Sequence, residues 1–188
     1  GDIINDRLDA FHARAMAPHL AAIRAPLGVY ATMGNHEFYG TPLENAQALR
    51  DAGIIVLRDQ ALQVGDVIIA GRDDDHQRGR LSTAAILDGM DTNLPVILLD
   101  HRPTHMVENA GAGADVQVSG HAHAGQIFPA NVVVERMYDV HYGVWEVDGM
   151  AVVVTSGLGF WGVPLRLGSR SEAWIIDILG NNSDFLPR

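Results

Sequence analysis

Four stations along this chain carry side chains that can donate to a divalent metal ion. His121-Ala122-His123 lies in the run Ser119-Gly120-His121-Ala122-His123-Ala124-Gly125-Gln126, where flanking glycines let the backbone turn and bring two imidazoles toward one centre. Gly34-Asn35-His36-Glu37 and Asp100-His101-Arg102-Pro103 each follow a short apolar run, and the chain opens on Gly1-Asp2. Oxygen and imidazole donors without sulfur suit manganese, iron, zinc, cobalt or nickel better than copper(I). Two such ions held close together would lower the pKa of a shared water and clamp phosphoryl oxygens during in-line displacement, which is the chemistry of phosphoester cleavage. His36 is the candidate to protonate or stabilise a departing alkoxide, because imidazole as a side-chain type suits proton transfer at neutral pH. Asn35 would bring a neutral oxygen, so that the centre stays positive enough to accept a phosphate.

Such donors must be delivered by elements that end near one another. The apolar run 95–99 reads as a strand delivering Asp100-His101, the run 115–118 as one delivering Ser119-Gly120-His121, and the run 28–33 as one delivering Gly34-Asn35-His36. In sheets flanked by helices, sites form beyond the carboxyl ends of the strands, where several loops converge. Around these strands, apolar Leu8, Phe11, Ala15, Leu20 and Ile23 suggest an amphipathic helix over 6–25, made imperfect by Pro18. Thr41-Pro42-Leu43-Glu44 is a helix start, with a capping threonine, proline at the first helical position and a glutamate placed for a capping box. That helix is expected to stop near Gly53. Strands are expected at 54–57, 61–64 and 67–70, a hairpin at 143–147 and 150–155 across Asp148-Gly149, and a last strand at 173–179. The polar stretch 71–80, with Asp73-Asp74-Asp75-His76, reads as a solvated loop.

Composition bounds the possibilities. A chain of 188 residues with 47% hydrophobic content fits one core and one domain, assigned to 1–180, with a flexible tail at 181–188. Lys+Arg total 13 against 23 Asp+Glu, a net charge of −10, which argues against a broad electrostatic grip on nucleic acid. Bound cations would still make a local positive centre for an anionic substrate. The absence of cysteine removes disulfides, thiolate zinc sites, iron–sulfur clusters and cysteine nucleophiles. No window reaches the roughly 20 apolar residues of a membrane span, and no basic-then-apolar leader is present, so the chain itself reads as soluble.

Taken in order, Gly1-Asp2, Gly34-Asn35-His36-Glu37, the histidine of His101-Arg102-Pro103 and Gly120-His121-Ala122-His123 resemble the calcineurin-like metallophosphoesterases. Gly125-Gln126-Ile127, Gly157-Leu158-Gly159 and Pro164-Leu165-Arg166-Leu167-Gly168 look like the bacterial branch often found as membrane-associated phosphohydrolases. The resemblance implies an α/β fold, a four-layer αββα sandwich of two mixed sheets flanked by helices, here lacking its first strand or strands. It also implies a two-metal centre in which Asp2 bridges both ions, Asn35, His101 and His121 complete the second site, and His123 serves the first. That first site further needs an Asp-x-His motif lying before the Gly-Asp motif, and this sequence holds no such residues. The expectation is a truncated or cleaved piece that binds one ion, unless an upstream segment completes the site, with a parent anchored at a bacterial membrane. Manganese is the expected metal, with zinc or iron as alternatives. The implied reaction is cleavage of a phosphoester or pyrophosphate bond by a metal-activated hydroxide. Its substrate would be a phosphorylated small molecule or a lipid-like one, for which Phe160-Trp161 in a glycine-rich loop would form an apolar wall. Asn5 stands where the family often has an aspartate that orients the histidine of the Asn-His pair, with Asp6 beside it as a candidate substitute.

Competing readings stay open at this point. An incomplete first site also fits a non-catalytic metal-binding or interaction domain. A metallo-β-lactamase-like centre would need an aspartate and a histidine just behind the histidine pair, where Gly125 and Gln126 stand. Taken singly, Asp2 is a frayed terminus, Asn35 a turn residue and His101 a strand cap. His105 lies at helical spacing from His101, but Pro103 interrupts the path, leaving it at the surface. His12, His19, His76 and His141 default to structural or solvent roles. Arg102 and Arg166 either meet substrate phosphate or pair with surface acids. Gly34 and Gly120 are expected to let the backbone turn or approach the site, and Trp145, Trp161 and Trp174 to be core or cover.

Overall fold

The computed structural model describes residues 1–5 and 8–179; the expected tail at 181–188 and Asp6 lie outside the described residues. In chain order the elements are α1 (Leu8–Ala13), α2 (Met16–Ala21), β1 (Tyr30–Ala31), α3 (Asn35–Tyr39), α4 (Pro42–Asp51), β2 (Ile55–Val56), β3 (Gln60–Val64), β4 (Val67–Gly71), α5 (Thr83–Ile86), β5 (Val96–Leu99), α6 (Met106–Gly111), β6 (Val116–Ser119), α7 (Ala130–Met137), β7 (Gly143–Val147) and β8 (Met150–Val154). A six-stranded mixed sheet runs in the order β3-β4-β5-β6-β8-β7. Its four inner strands are parallel, while β3 and β7 are antiparallel edges, each formed as one arm of a hairpin. β1 and β2 make a second, two-stranded parallel sheet. The architecture is α/β, two sheets with helices on their flanks.

Parallel strands are covered on both faces, which is why β4, β5 and β8 read as nearly continuous apolar runs, while β6 buries Gln117 and Ser119 among its valines. Ile68, Val96, Leu98, Met150, Val152 and Val154 are buried in one core with Ile86 and Leu87 from the α5 region. Ile4, Phe11, Met33, Leu49, Ile54 and Val56 form a second core around the small sheet. The two sheets meet closely: a Cβ on Gly71 would lie 2.5 Å from Leu57 Cβ, and the Thr32 hydroxyl donates to the Arg72 carbonyl.

Several expectations are corrected. The helix over 6–25 breaks at Ala15, which adopts a left-handed φ of 50°, and resumes as α2. The Pro18 ring would meet the carbonyl of residue 14 in a continuous helix, so the break falls one turn ahead of it. The 173–179 run forms no strand, because neither edge of the large sheet pairs with it. Loop 71–80 is not a solvated stretch throughout: Arg72, Asp73 and Asp74 are buried. Their charges are answered by arginines from other segments, Arg58 on Asp73 at 2.6 Å and Arg102 on Asp74 at 2.7 Å, with Arg72 and Arg80 flanking buried Asp100. Asp75 and His76 are exposed, as read. Trp145, Trp161 and Trp174 are exposed rather than core. Short helices α5, α6 and α7 fall where no helix was expected. Among the described residues no helix is long and apolar enough to cross a membrane.

Glu172 anchors the irregular C-terminal segment to the large sheet. Its Oε1 accepts from the Ser156 N–H at 2.8 Å, the Thr155 hydroxyl at 3.1 Å and the Trp174 indole at 2.9 Å, and its Oε2 accepts from the Tyr142 hydroxyl at 2.9 Å. Burial alone pushes this carboxyl up, but the bonds from Trp174, Ser156, Tyr142 and Thr155 outweigh it and hold the group below its ordinary value. A depressed carboxylate contributes stability above its unfolded pKa and loses it as pH falls through the folded one. Trp174 fluorescence is therefore expected to stay constant from neutral pH down to about 5 and to change below about 4, the ordinary glutamate range. Glu172→Gln should remove that acid transition, and a transition unaltered by the substitution would place the anchor elsewhere.

Candidate metal centre

The pairing of β5 with β6 sets where two of the donors end. Ile97, Leu98 and Leu99 lie opposite Val116, Gln117 and Val118, and the ladder continues past both strands through Asp100 N–H to Val118 O at 3.2 Å and Gly120 N–H to His101 O at 3.0 Å. His101 and His121 thus emerge side by side, with His101 Nε2 and His121 Nδ1 3.2 Å apart. Asp2 reaches them from the other core, its Oδ2 lying 3.0 Å from His101 Nε2. One donor atom from each of Asp2, His101 and His121 lies within 4.8 Å of the others. His36 stands at the rim, Nε2 3.9 Å from Asp2 Oδ2.

The backbone around Asp2 is tightly arranged. Asp2 adopts a left-handed φ of 58°, and its Oδ1 accepts the His36 N–H at 2.9 Å. Gly34 makes this approach possible: a Cβ there would lie 2.1 Å from Asp2 Oδ1. At Gly120, by contrast, a Cβ would meet nothing nearer than 3.8 Å, so of the turn or approach expected of that glycine no approach like that at Gly34 is made. Burial pushes the Asp2 carboxyl up, but the hydrogen bond and charge of His101, joined by the His36 N–H, outweigh it and hold the group well below the usual carboxylate range. Burial, with the charges of His101 and Arg102, pushes His121 down to about 4, so its ring is neutral at pH 7 and a nitrogen lone pair is free to donate.

The donor set fits a divalent ion. Asn35 is buried, its Nδ2 donates to the Tyr39 hydroxyl at 2.8 Å, and its Oδ1 has no partner among the described residues. An unanswered buried acceptor costs about 1–3 kcal/mol, and Asn35 directly precedes His36, whose N–H binds Asp2. Carboxylate, amide oxygen and two imidazoles are the chemistry such an ion accepts.

His123 is not one of the three clustered donors, although the charges of Asp2 and His101 reach it. Its Nδ1 is 3.4 Å from the Arg166 guanidinium, and burial followed by that guanidinium's charge lowers its pKa. The loop carrying it is unusual: His121, His123, Ala124 and Gln126 all have φ between 46° and 64°. Gly125 is pressed against α7, where a Cβ would lie 2.2 Å from Asn131 Cα. Two clamps hold the loop. Arg166 donates to the carbonyls of Ser156 at 2.7 Å, Gly159 at 2.6 Å and His123 at 3.4 Å. Gln126 accepts the Trp161 N–H at 2.7 Å and donates to the Trp161 carbonyl at 2.8 Å. Arg166 is therefore engaged with backbone rather than with surface acids, whereas Arg102 pairs through Nε with buried Asp74.

Asn5 stands at the orienting position the sequence pointed to, whereas the parts taken by Tyr39 and Glu37 had not been singled out. Asn5 Oδ1 accepts from His36 Nδ1, so the amide takes up the orienting contact expected of a carboxylate. Tyr39 packs between His36 and His76, with ring centroids 5.1 and 5.2 Å away. Glu37 is fully buried and bonded to backbone; its place three residues after Gly34 was the available signal. His105 is partly exposed and lies 3.3 Å from Glu108 and 3.5 Å from Asp75, clear of the centre.

The chain is 32% identical over 176 residues to an uncharacterized metallophosphoesterase of Aquifex aeolicus, a match covering 89% of this chain and 67% of that protein. It is 32% identical over 192 residues to a bovine (Bos taurus) transmembrane protein with metallophosphoesterase domain, covering 92% of this chain and 43% of that protein. An uncharacterized metallophosphoesterase of Helicobacter pylori is 28% identical over 188 residues, 97% of this chain and 50% of its own length. The chain thus spans about half the length of the latter two relatives. No family model and no solved structure matches it.

Gly34→Ala tests the close approach directly, because φ of −95° at Gly34 suits alanine and only the contact with Asp2 is disturbed. We expect a loss of roughly 1–3 kcal/mol in chemical denaturation, the usual range for overpacking a tight site. An unchanged denaturation midpoint would mean that Asp2 is not held against this turn.

Proposed function

This chain belongs to the calcineurin-like metallophosphoesterase family, and on that premise we propose that it hydrolyses a phosphoester or pyrophosphate bond at a divalent-metal site formed by Asp2, Asn35, His101 and His121. The observation that carries the reading is the convergence of Asp2, His101 and His121; the unpartnered buried oxygen of Asn35, the residue before the His36 whose N–H binds Asp2, adds to it. A divalent ion, when bound, supplies a nucleophilic hydroxide at neutral pH and offsets the charge that develops on the phosphoryl oxygens. Manganese is the metal we assign, with zinc and iron accepting the same donors. One ion is the number we assign to this chain, because His123 stands outside the cluster of Asp2, His101 and His121.

The chain's own residues then divide the remaining work. His101 and the neutral His121 present ring nitrogens, and Asn35 presents an oxygen without adding negative charge. His36 is the proton donor to the leaving oxygen in its doubly protonated form: Asn5 holds the Nδ1–H, the Nε2–H beside Asp2 is given up, and the ring is left neutral with its proton on Nδ1. Leu158, Phe160, Trp161 and Leu165 are exposed on the loop that Arg166 and Gln126 bind to the His123 segment. That placement supports a phosphorylated substrate with an apolar, lipid-like portion over a purely polar one. The bovine relative's description as a transmembrane protein supports a parent held at a membrane.

Two measurements test this reading on the purified chain. Manganese should raise the thermal midpoint in proportion to its binding, with about 2.7 kcal/mol of stabilisation at 100 times Kd, and His121→Ala should abolish both that rise and hydrolysis of a chromogenic phosphodiester. Binding without turnover in the unsubstituted chain would favour a metal-binding module, a reading that the position of His123 also supports. His36→Ala should leave manganese affinity unchanged and lower kcat on a phosphoester with a poor leaving group by roughly 10²–10⁴-fold, the span of general acid catalysis. Equal losses for good and poor leaving groups would remove His36 from the proton-donor role.

A further inference from the structure

We propose that Glu37 is the positioning residue of the centre: its buried carboxylate gathers backbone amides from two distant segments and thereby carries Asp2 to His101. The proposal rests on the reading of Asp2 as a metal ligand. Glu37 is 0% exposed and occupies the third position of α3. Its Oε2 accepts the N–H groups of Gly34 at 2.8 Å and Asp2 at 2.8 Å, and its Oε1 accepts those of Ile3 at 2.6 Å and Ile4 at 2.9 Å. The bond to Gly34 is the local one, a side chain at the third helical position reaching back to the capping amide. The other three come from residues 33 to 35 positions earlier in the chain.

A carboxylate taken out of water is costly unless its lone pairs are answered, and charge-assisted bonds from amides are the strong kind. Among the described residues no cationic side chain is bonded to Glu37, so backbone donors alone satisfy it. They do so only when residues 2–4 lie against the turn at Gly34. The carboxylate therefore selects one path for the first residues. On that path Asp2 turns left-handed, its Oδ1 takes the His36 N–H, and its Oδ2 is left facing His101 at 3.0 Å. The centre is assembled by the protein's own hydrogen bonds before any ion arrives. Glutamine keeps the shape of the side chain but turns an NH2 group toward two of these N–H donors, which removes the selection.

Manganese affinity of the whole chain, measured by titration calorimetry for Asp2→Asn, Glu37→Gln and the double substitution, tests the assignment. Glu37→Gln should keep the far-ultraviolet circular dichroism of the unsubstituted chain and raise Kd by roughly 10–100-fold, the range for residues that orient metal ligands. Because Glu37 acts through Asp2, the double variant should bind no more weakly than Asp2→Asn alone. A folded Glu37→Gln with unchanged Kd, or losses that multiply in the double variant, overturns the proposal. Should Glu37→Gln not fold, amide exchange in the unsubstituted metal-free chain decides: protection of the Asp2, Ile3, Ile4 and Gly34 amides supports it, and free exchange at residues 2–4 overturns it. A chain that binds no manganese while those amides stay protected supports the hold of Glu37 on Asp2 and ends the metal-centre reading instead.

Discussion

Parallel pairing of β5 with β6 is the constraint on which the rest of the centre depends. Because the ladder continues through Asp100 and Gly120, the residues just beyond the two strands remain bonded to each other, and His101 and His121 cannot separate without breaking it. Two imidazole nitrogens are thereby brought to 3.2 Å of each other. The carboxylate at the end of β5, Asp100, is turned to Arg72 and Arg80 instead. Asp2 arrives from the side of the smaller core, and its approach depends on a glycine at 34 and on a side chain able to hold the opening residues in place. The centre therefore lies where two separately packed cores meet, a frequent place for binding sites.

Beneath that junction lies a concentration of buried charge. Asp74 and Asp100 are fully buried, and Arg72, Arg80 and Arg102 bond to them. Burial still pushes the Asp100 carboxyl up to about 6 against the pull of Arg80 and Arg72. Buried ion pairs of this sort seldom add net stability over apolar packing. Their effect here is geometric. Arg102 follows His101 directly, and with its Nε on Asp74 and its carbonyl accepting from Ser119 the segment after β5 is tied both to loop 71–80 and to β6. A stretch that looks like a hydrophilic loop in one dimension thus becomes a support for the ligand-bearing turn.

Much of the fold was legible because its inner strands are short apolar runs that end abruptly in polar donors, as at Leu99-Asp100-His101 and Val118-Ser119-Gly120-His121. Periodicity succeeded there because both faces of a parallel strand are covered. It failed where tertiary partners decide the outcome. Trp174 and Ile175 have strand-forming character, yet no sheet edge receives them. α6 and α7 are too short to show a persuasive amphipathic repeat, and their starts carry no capping hydrogen bond from a side chain. The aspartates at 73 and 74 could not be told from solvated ones, since their arginine partners lie 15 and 28 positions away.

By itself the sequence determined the chemical inventory of the centre: which donors exist, their order, and that sulfur is absent. Those are properties of residue type and survive any folding. Only the tertiary structure decided which donors meet. His121 and His123 are equivalent in the sequence, but a left-handed turn through the loop sends one ring to His101 and the other to Arg166. Arg102 and Arg166 were likewise interchangeable as candidate phosphate binders, until one was found on buried Asp74 and the other on backbone carbonyls. Strand register, backbone handedness and the need to answer every buried charge are set by contacts between distant segments, so no local pattern could have announced them.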